Sequence, residues 1–377
     1  MMGSSGSSGS SRVLSSQFSA VVIRRAILSE SLVNNAMLTR FGRQTQTVEA
    51  RLNCVQSILR IPMHCLRMDC DGEKEHDVPD IALNVSDGNI VLQASLSVPP
   101  AGRAREGLVL LHGASTPSRD FFLYRHLAEL LPEYGIAVLR YDRRPSTKDV
   151  PFALQSGDAL AALRLLRSQL SLADAPIGLW GFSQGAWAAV VAAAHSDEVA
   201  FLVLVSSAGV SPAVQMRYGT ARQLRQSGYG DEPLKELAEL RSTFEGYLRG
   251  RQERGAAQAA VDRYATRPWF PLVHVPRTLP EPGSWEDMDF DPEPVFAQVR
   301  CPVLLFYGED DEWVPIDDCI AAWRRAAASA GNEDVTIVRL PGTLHLPTLS
   351  RGDTIAFISP EYTDCLTTWL KKRFRAA

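Results

Sequence analysis

The chain of 377 residues has little that points to a membrane, a nucleic acid or a metal. It lacks any apolar run of the 18 or more residues that a membrane-spanning helix requires. It also lacks a long basic run, and its formal net charge at pH 7 is −4, which disfavours nucleic acid as a partner. Its six cysteines form no Cys-x-x-Cys pair and no zinc-like cysteine and histidine cluster. These features predict no membrane span and no metal site.

The cysteines and the overall composition are those of an ordinary soluble enzyme. Cys65 and Cys70 are the nearest pair, and a disulfide between them stays an alternative to six reduced thiols. Reduced thiols are the preferred interpretation and predict a cytoplasmic location. Apolar residues make up 45% and charged residues 22% of the chain, which is typical of a globular enzyme. The length allows one large α/β domain with an insertion, or two domains.

The first 79 residues differ from the rest. Residues 1–11 are almost entirely Gly and Ser, as in an artificial tag, and are excluded from the fold prediction. From Arg12 to Arg60 the chain has seven arginines and two acids, a balance also found in organellar transit peptides. Apolar residues nevertheless recur through this stretch. We therefore predict that residues 12–79 form a helical extension packed on the main domain.

Strand and helix patterns alternate from residue 80 onward. Two alternating runs around Asp87-Gly88 predict a β-hairpin. Short apolar runs then alternate with stretches of helical spacing, which indicates parallel strands joined by right-handed crossovers. The strand runs are GLVLLHG, IAVLRYD, PIGLWGF, VAFLVLVSS, CPVLLFYG and VTIVRL. The predicted fold class is α/β, with a mostly parallel central sheet and helices on both faces.

One long interruption breaks this alternation. It covers residues 207–300, is far longer than an ordinary strand-to-helix connection, and reads largely as helix. We predict a core made of residues 80–206 and 301–377. The insertion is predicted to be a helical cap over the carboxyl edge of the sheet, where open α/β sheets bind their ligands.

The segment LWGFSQGAW contains the pattern Gly-x-Ser-x-Gly around Ser183. The pattern is weak alone, but here it lies between a predicted strand and a predicted helix, as a nucleophile elbow requires. A serine nucleophile needs a base, and the base needs an acid, each on a loop after a later strand. His345, in PGTLH, follows such a strand, whereas His274 lies inside the insertion. His112 precedes Ser183 and is the weaker alternative as a base.

The acid is expected in LLFYGEDDEWVP, where spacing alone does not separate Asp310 from Asp311. The flanking Glu309 and Glu312 are interpreted as solvated side chains. An oxyanion hole needs two converging backbone N–H groups. We expect one from Gln184, directly after the nucleophile, and the other from Ala114, in the loop after GLVLLHG.

The segments LLHGAS, GIAVLRYDRR, LWGFSQGAW, SSAGVSPAVQ, PWF and LPGTLH, with the region around GEDDEWVP, carry a family resemblance. From about residue 80 the chain resembles the α/β-hydrolase superfamily, in particular bacterial serine esterases related to dienelactone hydrolases and prolyl-oligopeptidase catalytic domains. The resemblance implies Asp311 as the acid, from the pattern Gly-x-x-Asp-x-x-Val-Pro, and His345 as the base. The chain departs from the family where Pro145 follows Arg144 in place of a glycine-rich turn, and where Leu346-Pro347 follows His345.

The sequence therefore predicts a serine hydrolase that cleaves a carboxylic ester of a small to medium organic substrate through an acyl-enzyme, with no cofactor. The same three side chains serve thioester cleavage, acyl transfer or carboxylate elimination. A non-catalytic ligand-binding protein on the same fold is a further alternative. The sequence indicates no oligomeric state.

Overall fold

The computed structural model describes residues 80–100, 104, 106–146, 149–169 and 175–374. The predictions for the tail 1–11 and the extension 12–79 lie outside these residues, as do Cys54, Cys65 and Cys70. They stay predictions. Within the described part, no helix is long and apolar enough to cross a membrane.

An eight-stranded sheet is the centre of the molecule. Its spatial order is β1-β2-β4-β3-β5-β6-β7-β8, with β1 and β2 antiparallel to their neighbours and the other six strands parallel. The strands are β1 (Ile81–Asp87), β2 (Ile90–Ser97), β3 (Glu106–Leu111), β4 (Ile136–Tyr141), β5 (Ile177–Phe182), β6 (Leu202–Val205), β7 (Val303–Gly308) and β8 (Val335–Leu340). The mostly parallel sheet predicted from the apolar runs is confirmed. Strands β3 to β7 are buried along their whole length, which explains why they read as continuous apolar runs.

The predicted hairpin is present, with its turn one residue further along than Asp87-Gly88. Asp87 is the last residue of β1 and pairs with Ile90, so Gly88 and Asn89 form the turn. Gly88 has φ +56°, the left-handed region that the first central residue of such a two-residue turn adopts.

Nine α-helices occur in the described part of the chain. They are α1 (Phe122–Leu130), α2 (Phe152–Gln169), α3 (Gln184–Ala194), α4 (Pro212–Gln226), α5 (Asp231–Leu248), α6 (Arg254–Tyr264), α7 (Glu293–Phe296), α8 (Ile316–Ala330) and α9 (Pro360–Phe374). Short 3-10 helices span Leu131–Tyr134, Phe270–Leu272 and Ile355–Phe357.

Two apolar clusters lie on opposite faces of the sheet. Alternate residues of β3 separate into them, with Val109 and Leu111 in one cluster and Leu108 and Leu110 in the other. Buried residues of α2, α3 and α8 belong to the first cluster, and those of α1 and α9 to the second. Helices therefore cover both faces, as predicted, because each face of a parallel sheet must be removed from water.

The connection between β6 and β7 contains helices α4 to α7. Residues of α4, α5 and α6 form a third apolar cluster of their own, with Leu224, Leu240 and Val261 fully buried in it. Helices α5 and α6 are separate because the chain turns at Gly250, which has φ +69°. The boundaries of the cap at 207 and 300, and its role as a cap, stay predictions.

The strand order reverses at β3. From β3 the chain passes to β4 on one side and then to β5 on the other, so β3 lies between them. In open α/β sheets the loops that follow the two strands at such a point diverge and leave a crevice. The loop after β3 and the turn after β5 are the segments that carry Ala114 and Ser183.

Candidate active site

Ser183 lies on a strained turn between β5 and α3. Its backbone has φ 52° and ψ −113°, in a region that non-glycine residues rarely adopt and that costs about 1–3 kcal/mol. The Ser183 N–H donates to the carbonyl of Val205, and its own carbonyl accepts from Ala186, both at 2.9 Å. Bonds to the next strand and to the helix therefore hold the turn in this conformation.

The two glycines of the pattern are required by space. A Cβ at Gly181 would lie 2.5 Å from the carbonyl oxygen of Gly185. A Cβ at Gly185 would lie 2.6 Å from the carbonyl oxygen of Leu111 and 2.7 Å from that of His112. Because these neighbours are backbone atoms, they cannot move aside cheaply. The first turn of α3 thus packs directly against the end of β3.

Ser183, His345 and Asp311 form one chain of hydrogen bonds, which we call the trio. The Nε2 atom of His345 lies 2.9 Å from the Ser183 Oγ, and its Nδ1 lies 3.0 and 3.1 Å from the two carboxylate oxygens of Asp311. A carboxylate only accepts hydrogen bonds, so Nδ1 carries the hydrogen and Nε2 is left to accept from the serine hydroxyl. In this arrangement an imidazole can take the proton of a serine that attacks a carbonyl carbon.

Asp311, rather than Asp310, faces the imidazole. Its side chain is completely buried, and its Oδ1 accepts hydrogen bonds from the backbone N–H groups of Trp313 and Val314 at 2.8 and 3.0 Å. Asp310 is exposed, and its backbone N–H donates to the carbonyl of Thr343. The spacing left these two acids undistinguished, whereas the geometry joins only Asp311 to His345.

Two opposing effects set the pKa of His345. Burial by itself lowers the pKa, but the charge of Asp311, its hydrogen bond and the charge of Glu312 raise it by more, so the pKa of His345 is raised above its ordinary value. The protonated imidazole is therefore stabilised in place, which suits a group that accepts a proton and then returns it.

Two contacts of the His345 backbone were not predicted from the sequence. The Ser206 hydroxyl donates to the His345 carbonyl at 2.8 Å, and the His345 N–H donates to the Glu312 carboxylate at 3.3 Å. Ser206 has φ 53°, the same rare region as Ser183. The interpretation of Glu312 as a merely solvated acid is therefore wrong. Glu309, in contrast, is half exposed, and its carboxylate lies 3.6 Å from Arg339. A small polar residue at the end of β6 was the only sequence signal for Ser206.

The two other histidines that were considered are not joined to Ser183. His112 is buried, and its Nε2 lies 2.5 Å from the Tyr141 carbonyl oxygen, to which it donates. Burial lowers the pKa of His112 to about 4, despite the opposing effect of that hydrogen bond. His274 has φ 52°, and its ring packs edge-on against Trp313, with 5.2 Å between the ring centroids. His112 therefore ties the loop after β3 to the end of β4.

The two backbone groups predicted for an oxyanion hole lie on adjacent segments. Gln184 is the first residue of α3, where a backbone N–H has no acceptor within the helix. Ala114 lies in the turn that is closed by the bond from the Thr116 N–H to the Gly113 carbonyl, at 3.3 Å. The close packing of Gly185 against β3 brings these two segments together.

The insertion contacts the loop that carries Asp311. A Cβ at Gly219, in α4, would lie 2.3 Å from the ring of Trp313, two residues after Asp311. Helix α4 of the predicted cap therefore packs against the same loop that holds the acid of the trio. Five of the ten aromatic residues between 207 and 300 are buried in the insertion's own apolar cluster: Phe244, Tyr247, Tyr264, Trp269 and Phe270.

The described residues contain no cluster of three or more histidine, cysteine or acidic side chains that could hold a metal ion. The cysteines in this part of the chain, Cys301, Cys319 and Cys365, are free thiols. Burial raises the pKa of the Cys319 thiol to about 12, so it stays protonated at neutral pH.

Comparison with known families agrees with this architecture. A family model described as the alpha/beta hydrolase family matches residues 108–356, about two thirds of the chain. The chain belongs to this family. The matched span of the alpha/beta hydrolase family includes every residue of the trio and both predicted oxyanion donors. A search among curated proteins finds no match.

Solved structures from several organisms match this chain at low sequence identity. An esterase of Pyrococcus furiosus is 17% identical, with a TM-score of 0.52 over 78% of this chain and 92% of that chain. Est1E from Butyrivibrio proteoclasticus is 16% identical, with a TM-score of 0.50 over 78% and 99%. A proline iminopeptidase of Mycobacterium smegmatis is 18% identical, with a TM-score of 0.49 over 78% and 99%. At these identities the likeness concerns the fold alone.

Proposed function

We propose that the protein is a serine hydrolase that cleaves a carboxylic ester of a small to medium organic substrate through an acyl-enzyme. The observation that carries the proposal is the continuous hydrogen-bond chain from the Ser183 Oγ through His345 to the buried Asp311. Membership of the alpha/beta hydrolase family supports a hydrolytic reaction. The strained turn supports Ser183 as the nucleophile, because backbone strain of this kind clusters at active sites, where the surrounding structure enforces it.

In the first step the Ser183 Oγ attacks the carbonyl carbon of the ester while His345 Nε2 takes the hydroxyl proton. The carbonyl π-electrons move onto its oxygen, and the backbone N–H groups of Ala114 and Gln184 donate to that oxyanion. Asp311 holds the imidazole through Nδ1 and stabilises the positive charge that develops on it. The C–O bond then breaks, and the alcohol leaves with the proton from Nε2.

The second step repeats this chemistry with water. His345 Nε2 takes a proton from water, whose oxygen attacks the carbonyl carbon of the acyl-Ser183 ester. The tetrahedral intermediate collapses, the Ser183 oxygen leaves and regains the proton, and the carboxylic acid is released.

The primary test measures turnover of a p-nitrophenyl ester by the wild-type protein and the Ser183→Ala variant. We expect turnover to fall to background in Ser183→Ala with unchanged folding, measured by circular dichroism and thermal unfolding. Ser168→Ala is the matched control, because it removes an exposed hydroxyl on α2 that bonds only the Leu165 carbonyl. Equal turnover by wild type and Ser183→Ala would exclude Ser183 as the nucleophile.

Two further measurements separate the alternatives. A fluorophosphonate probe is expected to label Ser183, and failure to label it would favour a non-catalytic binding protein. Reaction in ¹⁸O-labelled water is expected to place one solvent oxygen in the released acid. An unlabelled acid would indicate elimination, and a new ester formed with an added alcohol would indicate acyl transfer. Faster turnover of a thioester than of the matching ester would indicate thioester cleavage.

A further inference from the structure

A charged network connects the two segments that carry the proposed oxyanion donors. The Nη1 of Arg143, in the loop after β4, donates to the Ala114 carbonyl at 3.1 Å. The Nη2 of Arg143 lies 3.7 Å from the Asp149 Oδ1, and that oxygen accepts from the side-chain amide of Gln184 at 3.0 Å. We call these four residues the Arg143 network. It joins the loop after β3, the loop after β4 and the first turn of α3.

Arg143 holds the loop after β3 at two points. Besides the side-chain bond to Ala114, its backbone N–H donates to the Pro117 carbonyl at 2.8 Å. The turn between these two points is closed on its other side, where the Gly113 N–H donates to the Tyr124 hydroxyl at 3.1 Å. The position of the Ala114 peptide is therefore set by contacts with two neighbouring elements and not by the loop alone.

Partial burial strengthens the Arg143–Asp149 pair relative to a surface ion pair, whereas the bond to the Ala114 carbonyl is exposed. The side chain of Arg143 is 10% exposed and that of Asp149 28%, and Gln184 is 8% exposed. Burial lowers the pKa of Arg143, and the charge of Asp149 opposes that shift. Solvent screens charges in such an environment less than charges at the surface. A guanidinium also has several N–H groups fixed in one plane, so it can bond a carbonyl and face a carboxylate at once.

We propose that Arg143 is a positioning residue that holds the Ala114 and Gln184 backbone N–H groups in register for the oxyanion. This proposal rests on the proposed function, since it concerns the same oxyanion. Donors of this kind are effective only when they are fixed before the charge develops, and loss of one donor costs about 10²–10³-fold in kcat. Arg143 supplies this fixation from outside the site and does not itself touch the reacting atoms.

The test compares the wild-type protein with Arg143→Ala and Arg143→Lys by two independent measurements. Hydrogen–deuterium exchange reports on the segment around residues 113–117, and we expect faster exchange there in Arg143→Ala. Steady-state kinetics with a p-nitrophenyl ester are expected to show kcat lowered by about 10–100-fold in Arg143→Ala with KM changed less than about threefold. Arg143→Lys keeps one charged donor, so we expect it to recover part of kcat and part of the protection from exchange.

Arg373→Ala is the matched control. Arg373 lies on α9, its guanidinium pairs with Asp334, and its side chain is 22% exposed. We expect this variant to leave both readings at wild-type values. Unchanged exchange around residues 113–117 in Arg143→Ala overturns the proposal, as does faster exchange with unchanged kcat. If the wild type and Ser183→Ala turn over esters equally, the proposed function fails. The exchange comparison still decides whether Arg143 holds the loop.

Discussion

At the scale of single residues, Asp310 and Asp311 are adjacent acids with very different surroundings. Asp311 is buried and bonded to His345, whereas Asp310 is exposed. We expect Asp311→Asn to lower kcat by about 10³–10⁴-fold, because the imidazole loses its carboxylate partner and its correct tautomer. The measurement is steady-state hydrolysis of a p-nitrophenyl ester. Asp310→Asn is the matched control and should retain nearly full activity; an equal loss in both variants would contradict the assignment.

The pH dependence follows from the raised pKa of His345. The proposed base acts when it is neutral, so kcat/KM should rise with increasing pH. The midpoint of this rise, the acid limb of the pH profile, reports the pKa of His345. Because Asp311 and Glu312 raise that pKa, the midpoint of the rise should lie above the ordinary pKa of a histidine. Glu312→Gln removes one of the charges that raise it, so we expect the limb to move to lower pH in a pH profile.

Glu309→Gln is the control for this measurement, because Glu309 is not among the groups that raise the pKa of His345. An acid limb that stays in place in Glu312→Gln, or moves equally in both variants, would count against the effect of Glu312.

The raised pKa of His345 also makes the stability of the fold depend on pH. At pH values below the pKa that His345 has in the unfolded chain, its protonation stabilises the folded state. This stabilisation is lost as the pH rises through the pKa that His345 has in the folded protein.

At the scale of elements, the packing of α3 against β3 controls the geometry around Ser183. A Cβ at Gly185 would lie 2.6 Å from the Leu111 carbonyl oxygen, and neither backbone can yield without separating the two elements. We expect Gly185→Ala to lower the free energy of unfolding by about 1–3 kcal/mol. It should also lower kcat, because Gln184 moves with α3.

The matched control is Gly255→Ala in α6, where an added Cβ would meet no atom within 4 Å. Alanine has a higher helix propensity than glycine, so the free energy of unfolding of this variant should rise by up to about 1 kcal/mol. Urea denaturation measures both changes. Gly185→Ala with wild-type stability and kcat would refute the proposed role of this contact.

At the scale of the whole molecule, the insertion has an apolar cluster separate from the two clusters of the sheet. Leu240 lies in the cluster of the insertion and Leu179 in a cluster of the sheet, and both are completely buried. Each of the two changes, Leu240→Ala and Leu179→Ala, should lower the free energy of unfolding by about 2–5 kcal/mol. In Leu240→Ala we expect faster hydrogen exchange confined to the insertion, whereas in Leu179→Ala it should increase across the sheet. Faster exchange throughout the chain in Leu240→Ala would show that the insertion and the sheet unfold together.

Much of this architecture follows from local patterns. The apolar runs of β3 to β7 are buried on both faces, so their sequence carries the signal of a parallel strand. The helical insertion was recognised from its length, but its division at Gly250 was not, because a single glycine inside a helical pattern is often tolerated.

The sequence by itself determined the strand and helix alternation, the strained turn at Ser183 and the chain order of serine, acid and histidine, because each depends on neighbouring residues or on their order. Spacing alone did not separate Asp311 from Asp310, and the family resemblance implied Asp311. Only the tertiary structure joins Asp311 to His345, since adjacent residues differ in the direction of their side chains and not in spacing. The bonds that connect Ser206 and Glu312 to His345, and Arg143 to the Ala114 carbonyl, likewise join residues between 29 and 139 positions apart, and no local pattern records them. They arise because parallel strands bring distant loops to one edge of the sheet.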